Sequence, residues 1–389
     1  MKSIRTFGAV VVAALLIGAG GASTGLARAA GATATAIDLG TLGGNISVPA
    51  QVSPSGQVVG SSSITGNAAE HAFSWTQAGG MVDLGTLGGR FSFGEDVNAS
   101  GQVVGSSATA DGGIHAFSWT QGGGMVDLGT LGGSFSGANA VNAGGQVVGV
   151  SGTTTETHAF SWTQAGGMVD LGTLGGTFSE ADVVNAGGQV AGISNLAGSA
   201  TIHPFSWTSA GGMVDLGSLG GRTSTVVDIN ASGQVVGDSE TASGENHAFS
   251  WTQAGGMVDL GTLGGTSTFA AGVNASGEVV GGSTTAGDSA VHAFTWTQAG
   301  GMVDLGTLGG LNSGARGVNA RGQVVGVSST SGVVPDRGFS WTRTGGMVEL
   351  APPAGYTMSV ASYVNARGDV VGVSSTADLS AIHATLWHT

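Results

Sequence analysis

Residues 71–89 read HAFSWTQAGGMVDLGTLGG, and the same string, with small changes, starts again at residues 115, 158, 203, 247 and 292. Trp75, Trp119, Trp162, Trp207, Trp251, Trp296, Trp341 and Trp387 mark the beat, 43 to 46 residues apart. A strict period in this range signals a repeat architecture. The same regularity restrains any functional reading, because a residue present in every copy is more readily scaffold than site.

Residues 83–130 serve as the type unit. The stretch around residues 91–97 leads into Asn98-Ala99-Ser100-Gly101 and then Gln102-Val103-Val104-Gly105. An apolar run, an Asn-x-x-Gly turn and a β-branched run read as a hairpin, with Gly supplying the left-handed turn position. The turn also matches a glycosylation acceptor, which turn geometry makes unnecessary. The third strand is expected at residues 115–120, where side chains alternate: His115, Phe117 and Trp119 share one face, and Ala116, Ser118 and Thr120 share the other. A bulky face opposite a small one suits stacked sheets. Residues 121–124 turn into a fourth strand, Met125-Val126-Asp127-Leu128.

Four short strands per unit is the pattern of a propeller blade. The chain after its leader opens on a fourth strand, Ala36-Ile37-Asp38-Leu39, and finishes on a third, residues 383–387. The expected fold is therefore an all-β, eight-bladed β-propeller of four-stranded blades, spanning residues 30–389 and closed by pairing of the N-terminal strand with the C-terminal blade. Closure removes an exposed sheet edge. A parallel β-helix is the structural rival, but it predicts terminal caps in place of this complementary split.

Residues 1–29 read as a secretory signal peptide. Lys2 and Arg5 precede the apolar run 7–17, and Ala27-Arg28-Ala29 offers a cleavage site before Ala30. The expected location is extracellular, with no membrane span. Without the leader the chain keeps seven arginines, no lysine and 24 acids, a net charge of −17. Schiff-base and phosphate-loop chemistry are excluded, and such a surface should repel nucleic acid. The absence of cysteine excludes disulfides and zinc–thiolate sites. No cofactor or metal is expected, and the protein is expected to be a monomer.

The strings HAFSWT, GGMVDLGTLGG and VNASGQVVG resemble the HAF-repeat family of bacterial extracellular proteins, over nearly the whole chain beyond the leader. Departures cluster late: Arg337-Gly338-Phe339 replaces His-Ala-Phe, residues 349–353 replace Asp-Leu-Gly-Thr-Leu, and Thr385-Leu386 replaces Phe-Ser. The resemblance implies export and a repeat fold. It carries no established reaction and transfers no catalytic residue.

The recurrent polar and aromatic residues are His71, Trp75, Asp83, His115, Trp119, Asp127, His158, Trp162, Asp170, Trp207, Asp215, Trp251, Asp259, Trp296 and Asp304. They read as a structural hydrogen-bond network in preference to a ring of metal or acid–base sites. Function should sit where units differ. One such place is the connection between second and third strands, at residues 61–70, 106–114, 150–157, 193–202, 238–246, 283–291, 327–336 and 373–382. Another is the position three before the turn Asn: Glu95, Asn139, Asp182, Val227, Ala271, Arg316 and Ser362. The polar members, with Asp96, Glu180, Asp228, Arg90 and Arg222, are candidates to line the mouth of a central channel. The favoured function is a non-catalytic scaffold binding an extracellular glycan or protein. The alternatives are a polysaccharide-active enzyme using Glu95/Asp96 and Glu180/Asp182, or a structural surface component.

Overall fold

A computed structural model describes residues 34–331 and 336–389. The proposed leader lies outside the described residues. In the type unit, Gly88–Val97, Val103–Thr109, Ile114–Thr120 and Gly124–Asp127 pair antiparallel in that order. This arrangement repeats along the chain. Four of the sheets are separate four-stranded sheets, and two larger ones each join two four-strand sets through a single parallel bridge, Thr157 to Phe178 and Ile46 to Ile382. The final set takes its fourth strand from the start of the chain: Thr35–Asp38 pairs antiparallel with Ile382–His388, placing Thr35 opposite His388 and Asp38 opposite Thr385. Among the described residues the helical segments are two 3-10 turns, Thr65–Asn67 and Ala286–Asp288. None is long and apolar enough to cross a membrane.

Neighbouring sheets pack bulky face on small face. Phe117, Trp119 and Val103 of one sheet meet Ala72, Val59 and Leu84 of the preceding one. Phe73, Phe117, Phe160, Phe205, Phe249, Phe294 and Phe339 are fully buried in this way. Each contributes about 1.5–3 kcal/mol of burial. Hydrogen bonds reinforce the stacking. Ser92 Oγ accepts the Ala72 amide at 2.9 Å and donates to the Gly85 carbonyl at 2.6 Å, joining two sheets. Ser136, Ser179 and Ser313 do the same for their own predecessors. Ser47 does so between the two ends of the chain, bonding Ala384 and Gly40. Ser224 departs from the pattern: its hydroxyl turns to Ser239 at 3.0 Å. The residue whose amide it would accept is Pro204, which has no N–H.

The Asn-x-x-Gly turns add a second set of joints. Asn98 Oδ1 accepts the amides of Ser100 and Gln102, while Nδ2 reaches the Asn142 carbonyl in the next unit at 3.1 Å. Asn98 is buried by these bonds, which take it out of consideration as a glycan acceptor. The same bond runs from Asn142, Asn185, Asn230, Asn274 and Asn319 to their successors. From Asn365 it runs to Ser53, 312 residues away.

The second strands are longer than the sequence reading allowed. Polar runs such as Ser106-Ser107-Ala108-Thr109 belong to the strand and are buried throughout. Small hydroxyls suit the close spacing between sheets: Ser107 Oγ accepts the Leu87 amide at 2.8 Å, and Ser62, Ser151, Ser239, Ser283 and Ser328 each accept a leucine amide likewise, whereas Ser374 accepts the Thr385 hydroxyl. The variable connections are correspondingly shorter than expected. Residues 332–335 of the 327–336 connection lie outside the described residues.

Candidate functional site on the inner strands

The first strand of each set lies at one side of its own four strands, and consecutive first strands lie beside one another. Each carries a β-bulge at one place. In the type unit, Gly94 pairs with Gly105 and Asp96 with Val104, so Glu95 has no cross-strand partner position. The skipped residue elsewhere is Ala50, Asn139, Asp182, Val227, Ala271, Arg316 or Ser362. From the second unit on, this is the position three before the turn Asn. A bulge kinks its strand and re-aims a side chain away from the ladder. The local chemistry follows: the backbone closes so tightly that a Cβ on Gly105 would sit 1.9 Å from the Phe93 carbonyl oxygen. This explains the Gly of every Val-Val-Gly or Val-Ala-Gly run.

The bulges stand toward the Asn-x-x-Gly end of the strand. Arg90 and Arg222 stand at the other end, near the variable connections, where Arg90 donates to the Ala68 carbonyl at 2.8 Å and the Arg222 amide donates to Glu240. Five residues of strand separate Arg90 from Glu95, about 17 Å at the usual rise. The expectation of one shared mouth is therefore corrected: the candidates divide between two ends.

Asp96 and Asp228, each one residue beyond a bulge position, act as clamps between units. Asp96 accepts the amides of Val97 and, from the next unit, Val141, both at 2.8 Å. Asp228 accepts Ile229 and Val273 in the same manner. Burial pushes the Asp96 carboxyl up to about 6; the two amide bonds oppose this and the negative charge of Asp228 adds to it. Burial likewise raises Asp228 against its two amide bonds. Asn139 Nδ2 donates to Glu180 at 3.1 Å and to the Ala181 carbonyl at 2.9 Å, which brings those two candidates together from consecutive four-strand sets. Arg316 keeps part of its surface exposed, while desolvation by the surrounding protein lowers its pKa. Of the two carboxylate pairs, Asp96 is thus engaged by backbone amides and Glu180 by an amide side chain.

The recurrent His and Asp form pairs. His71 Nδ1 lies 2.9 Å from Asp83, and His115–Asp127, His158–Asp170, His203–Asp215, His247–Asp259 and His292–Asp304 match it within 0.1 Å. Asp83 also accepts the Gly85 amide, fixing the link to the next unit. Where the sequence departs, Arg337 pairs with Glu349 instead. In the final set the pair is His383 with Asp38, and Tyr356 bonds both. Burial, helped by the hydrogen bond to Asp38, pushes the Tyr356 hydroxyl well above its ordinary value. The pairs lie at sheet edges with the carboxylates 34–43 % exposed. Among the described residues, no three His, Asp or Glu side chains gather as metal ligands.

Sequence reasoning missed three things. It passed over Ala50, whose turn begins with Ser in place of Asn. It did not single out the stapling hydroxyls, although Ser at residues 47, 92, 136, 179, 224, 313 and 359, with Thr268 in the remaining unit, keeps the beat of the tryptophans. It also treated Asp238 as a loop residue. That side chain accepts the Ala270 amide of the next unit at 2.8 Å, and burial pushes its carboxyl up to about 6.

No family model and no curated protein matches the chain. Among solved structures, it is similar to the Dos1 propeller at 9 % identity, with a TM-score of 0.50, covering 90 % of this chain and 94 % of that one. It also matches dipeptidyl peptidase 4 of Porphyromonas gingivalis at 10 % identity and a TM-score of 0.49, over 85 % of this chain and 53 % of that one. A match to TolB from Acinetobacter baumannii, at 12 % identity and a TM-score of 0.38, covers 64 % of this chain. The chain spans 62 % of the length of TolB. Repeated four-stranded sheets and the likeness to the Dos1 propeller together make the fold an all-β propeller.

Proposed function

We propose that this is an exported propeller of the HAF-repeat kind, with eight blades closed between the chain ends, that binds an extracellular partner and catalyses nothing. Closure is supported by the Asn365–Ser53 and Ser47–Ala384 bonds, which match the joints between consecutive units. The observation that carries the binding reading is the contrast at the bulges. The His–Asp pair repeats almost unchanged, whereas the re-aimed bulge position holds Ala, Glu, Asn, Asp, Val, Ala, Arg and Ser in turn. A scaffold position tolerates repetition; a recognition surface needs a pattern that does not repeat.

The partner is a glycan or an exported protein engaged at the inner strands. The test is a panel of extracellular polysaccharides and secreted proteins, applied to the wild type and to a Glu95→Gln, Asp182→Asn, Arg316→Gln variant. The expected result is a saturable partner for the wild type, lost in a variant that unfolds at the same temperature. A partner bound equally by both, or turnover of a panel member, would overturn the reading.

A further inference from the structure

The arginines are few, and three of them occupy two positions at which the earlier units have none. At the third turn position, units carry Ser55, Ser100, Gly144, Gly187, Ser232 and Ser276 before Arg321 and Arg367 appear. In the turn between third and fourth strands, Gln77, Gln121, Gln164, Ser209, Gln253 and Gln298 give way to Arg343. Both substitutions fall on the Asn-x-x-Gly end of the molecule. A groove between the Trp296 and Trp341 units brings Arg321 and Arg343 together with Trp341, Thr342, Ser276 and Glu278.

Arg321 and Arg343 differ from the arginines that are held by a carboxylate. Arg337 is paired with Glu349 and Arg367 with Asp369. Among the described residues, neither Arg321 nor Arg343 has a carboxylate partner, on a chain whose acids outnumber its bases more than twofold. Arg321 makes one long bond, from Nη1 to the Arg367 carbonyl at 3.4 Å, which leaves the rest of its planar fork open. Glu278 stands where six of the other turns have Gln and the last has Asp369. It accepts Asn274 Nδ2 at 3.1 Å and lies against Gly322 on the groove floor.

This combination selects a ligand. Guanidinium forks match carboxylates. A part-exposed indole offers an apolar platform, and the Thr and Ser hydroxyls with the Glu278 carboxylate suit a ligand rich in hydroxyl groups. A bare phosphate or sulfate would meet Glu278 as a like charge; a sugar acid can donate a hydroxyl to it while its carboxylate turns to the arginines. We propose that this groove binds a uronic-acid unit of an extracellular polysaccharide. The site is separate from the bulge positions and does not depend on them.

The test is isothermal titration of the full-length chain with trigalacturonate, its methyl ester and inorganic sulfate. Trigalacturonate is expected to bind, weakening with added salt, and the ester and sulfate to bind at least tenfold less. Arg321→Gln and Arg343→Gln should each weaken trigalacturonate binding at least tenfold, whereas Glu95→Gln should leave it unchanged. Both arginines are exposed, so folding is expected to survive, and an unchanged melting temperature verifies that. No binding of trigalacturonate, equal binding of the ester or sulfate, or indifference to both arginine substitutions would overturn the proposal.

Discussion

Replacing Ser92 with Ala should cost far more than the same change at Ser224, although the two serines occupy equivalent positions. Ser92 is fully buried and holds two backbone groups of other segments, the Ala72 amide and the Gly85 carbonyl. Removing the hydroxyl leaves both without a partner in a region closed to water. At about 1–3 kcal/mol for each orphaned group, the loss is about 2–6 kcal/mol. Ser224 bonds only the Ser239 hydroxyl, and Ser239 keeps its bond from the Leu219 amide, so the cost there is about 1 kcal/mol or less. Urea unfolding followed by tryptophan fluorescence reads the difference, provided the dependence on urea concentration is unchanged. Native-state hydrogen exchange should show the Ala72 amide losing protection in the Ser92 variant. A cycle sharpens the test: in a Pro204→Ala background the missing N–H returns, and Ser224→Ala should then become costly as well. Losses for Ser92→Ala and Ser224→Ala that agree within about 0.5 kcal/mol would refute the reasoning.

Three further outcomes are expected. His158 lies between Asp170 and Glu156, and although burial alone would lower its pKa, these two bonds leave it above the ordinary value. A raised folded-state pKa stabilises the protein below the unfolded value, and that contribution fades as pH rises through the folded value; Glu156→Gln should lower the His158 midpoint in an NMR titration and weaken this dependence. Asp96, raised to about 6 by burial, has the same sign: its contribution to stability should fall as pH rises from about 4 to 6, and Asp96→Asn should remove that part of the stability profile. Burial alone would raise Asp38, but bonds from His383, the Gly40 amide and Tyr356 leave its pKa lowered; Asp38→Ala should therefore speed amide exchange across residues 382–388 while leaving residues 114–120 protected.

The tryptophan period, the alternation in HAFSWT and the split between the chain ends made the sheets and their pairing legible from the residues alone. The apolar runs marked strand centres well and strand ends badly. Ser106-Ser107-Ala108-Thr109 looks like a loop because its side chains are small and polar, but the Ser107 hydroxyl finds the Leu87 amide and the Phe91 and Ala108 carbonyls, partners that only the folded sheet supplies. The bulge was half legible. Counting back from the turn Asn reached the bulge positions, but that reading set them on the rim of the variable connections, whereas the direction of the strand carries them to the other end. Asp96 looked like part of a catalytic pair because its chemistry is visible in sequence, whereas the Val141 amide that occupies it lies 45 residues away.

Asp38 and His383 meet across 345 residues of chain. Bringing such distant partners together costs about 5 kcal/mol of loop-closure entropy, against about 2 kcal/mol for the equivalent pair His71–Asp83, 12 residues apart within one unit. The junction where first and last strands zip is therefore the natural place for the molecule to unlatch. Moving the termini to another turn by circular permutation should carry that weak point with them, making the site of first opening a matter of where the polypeptide is cut.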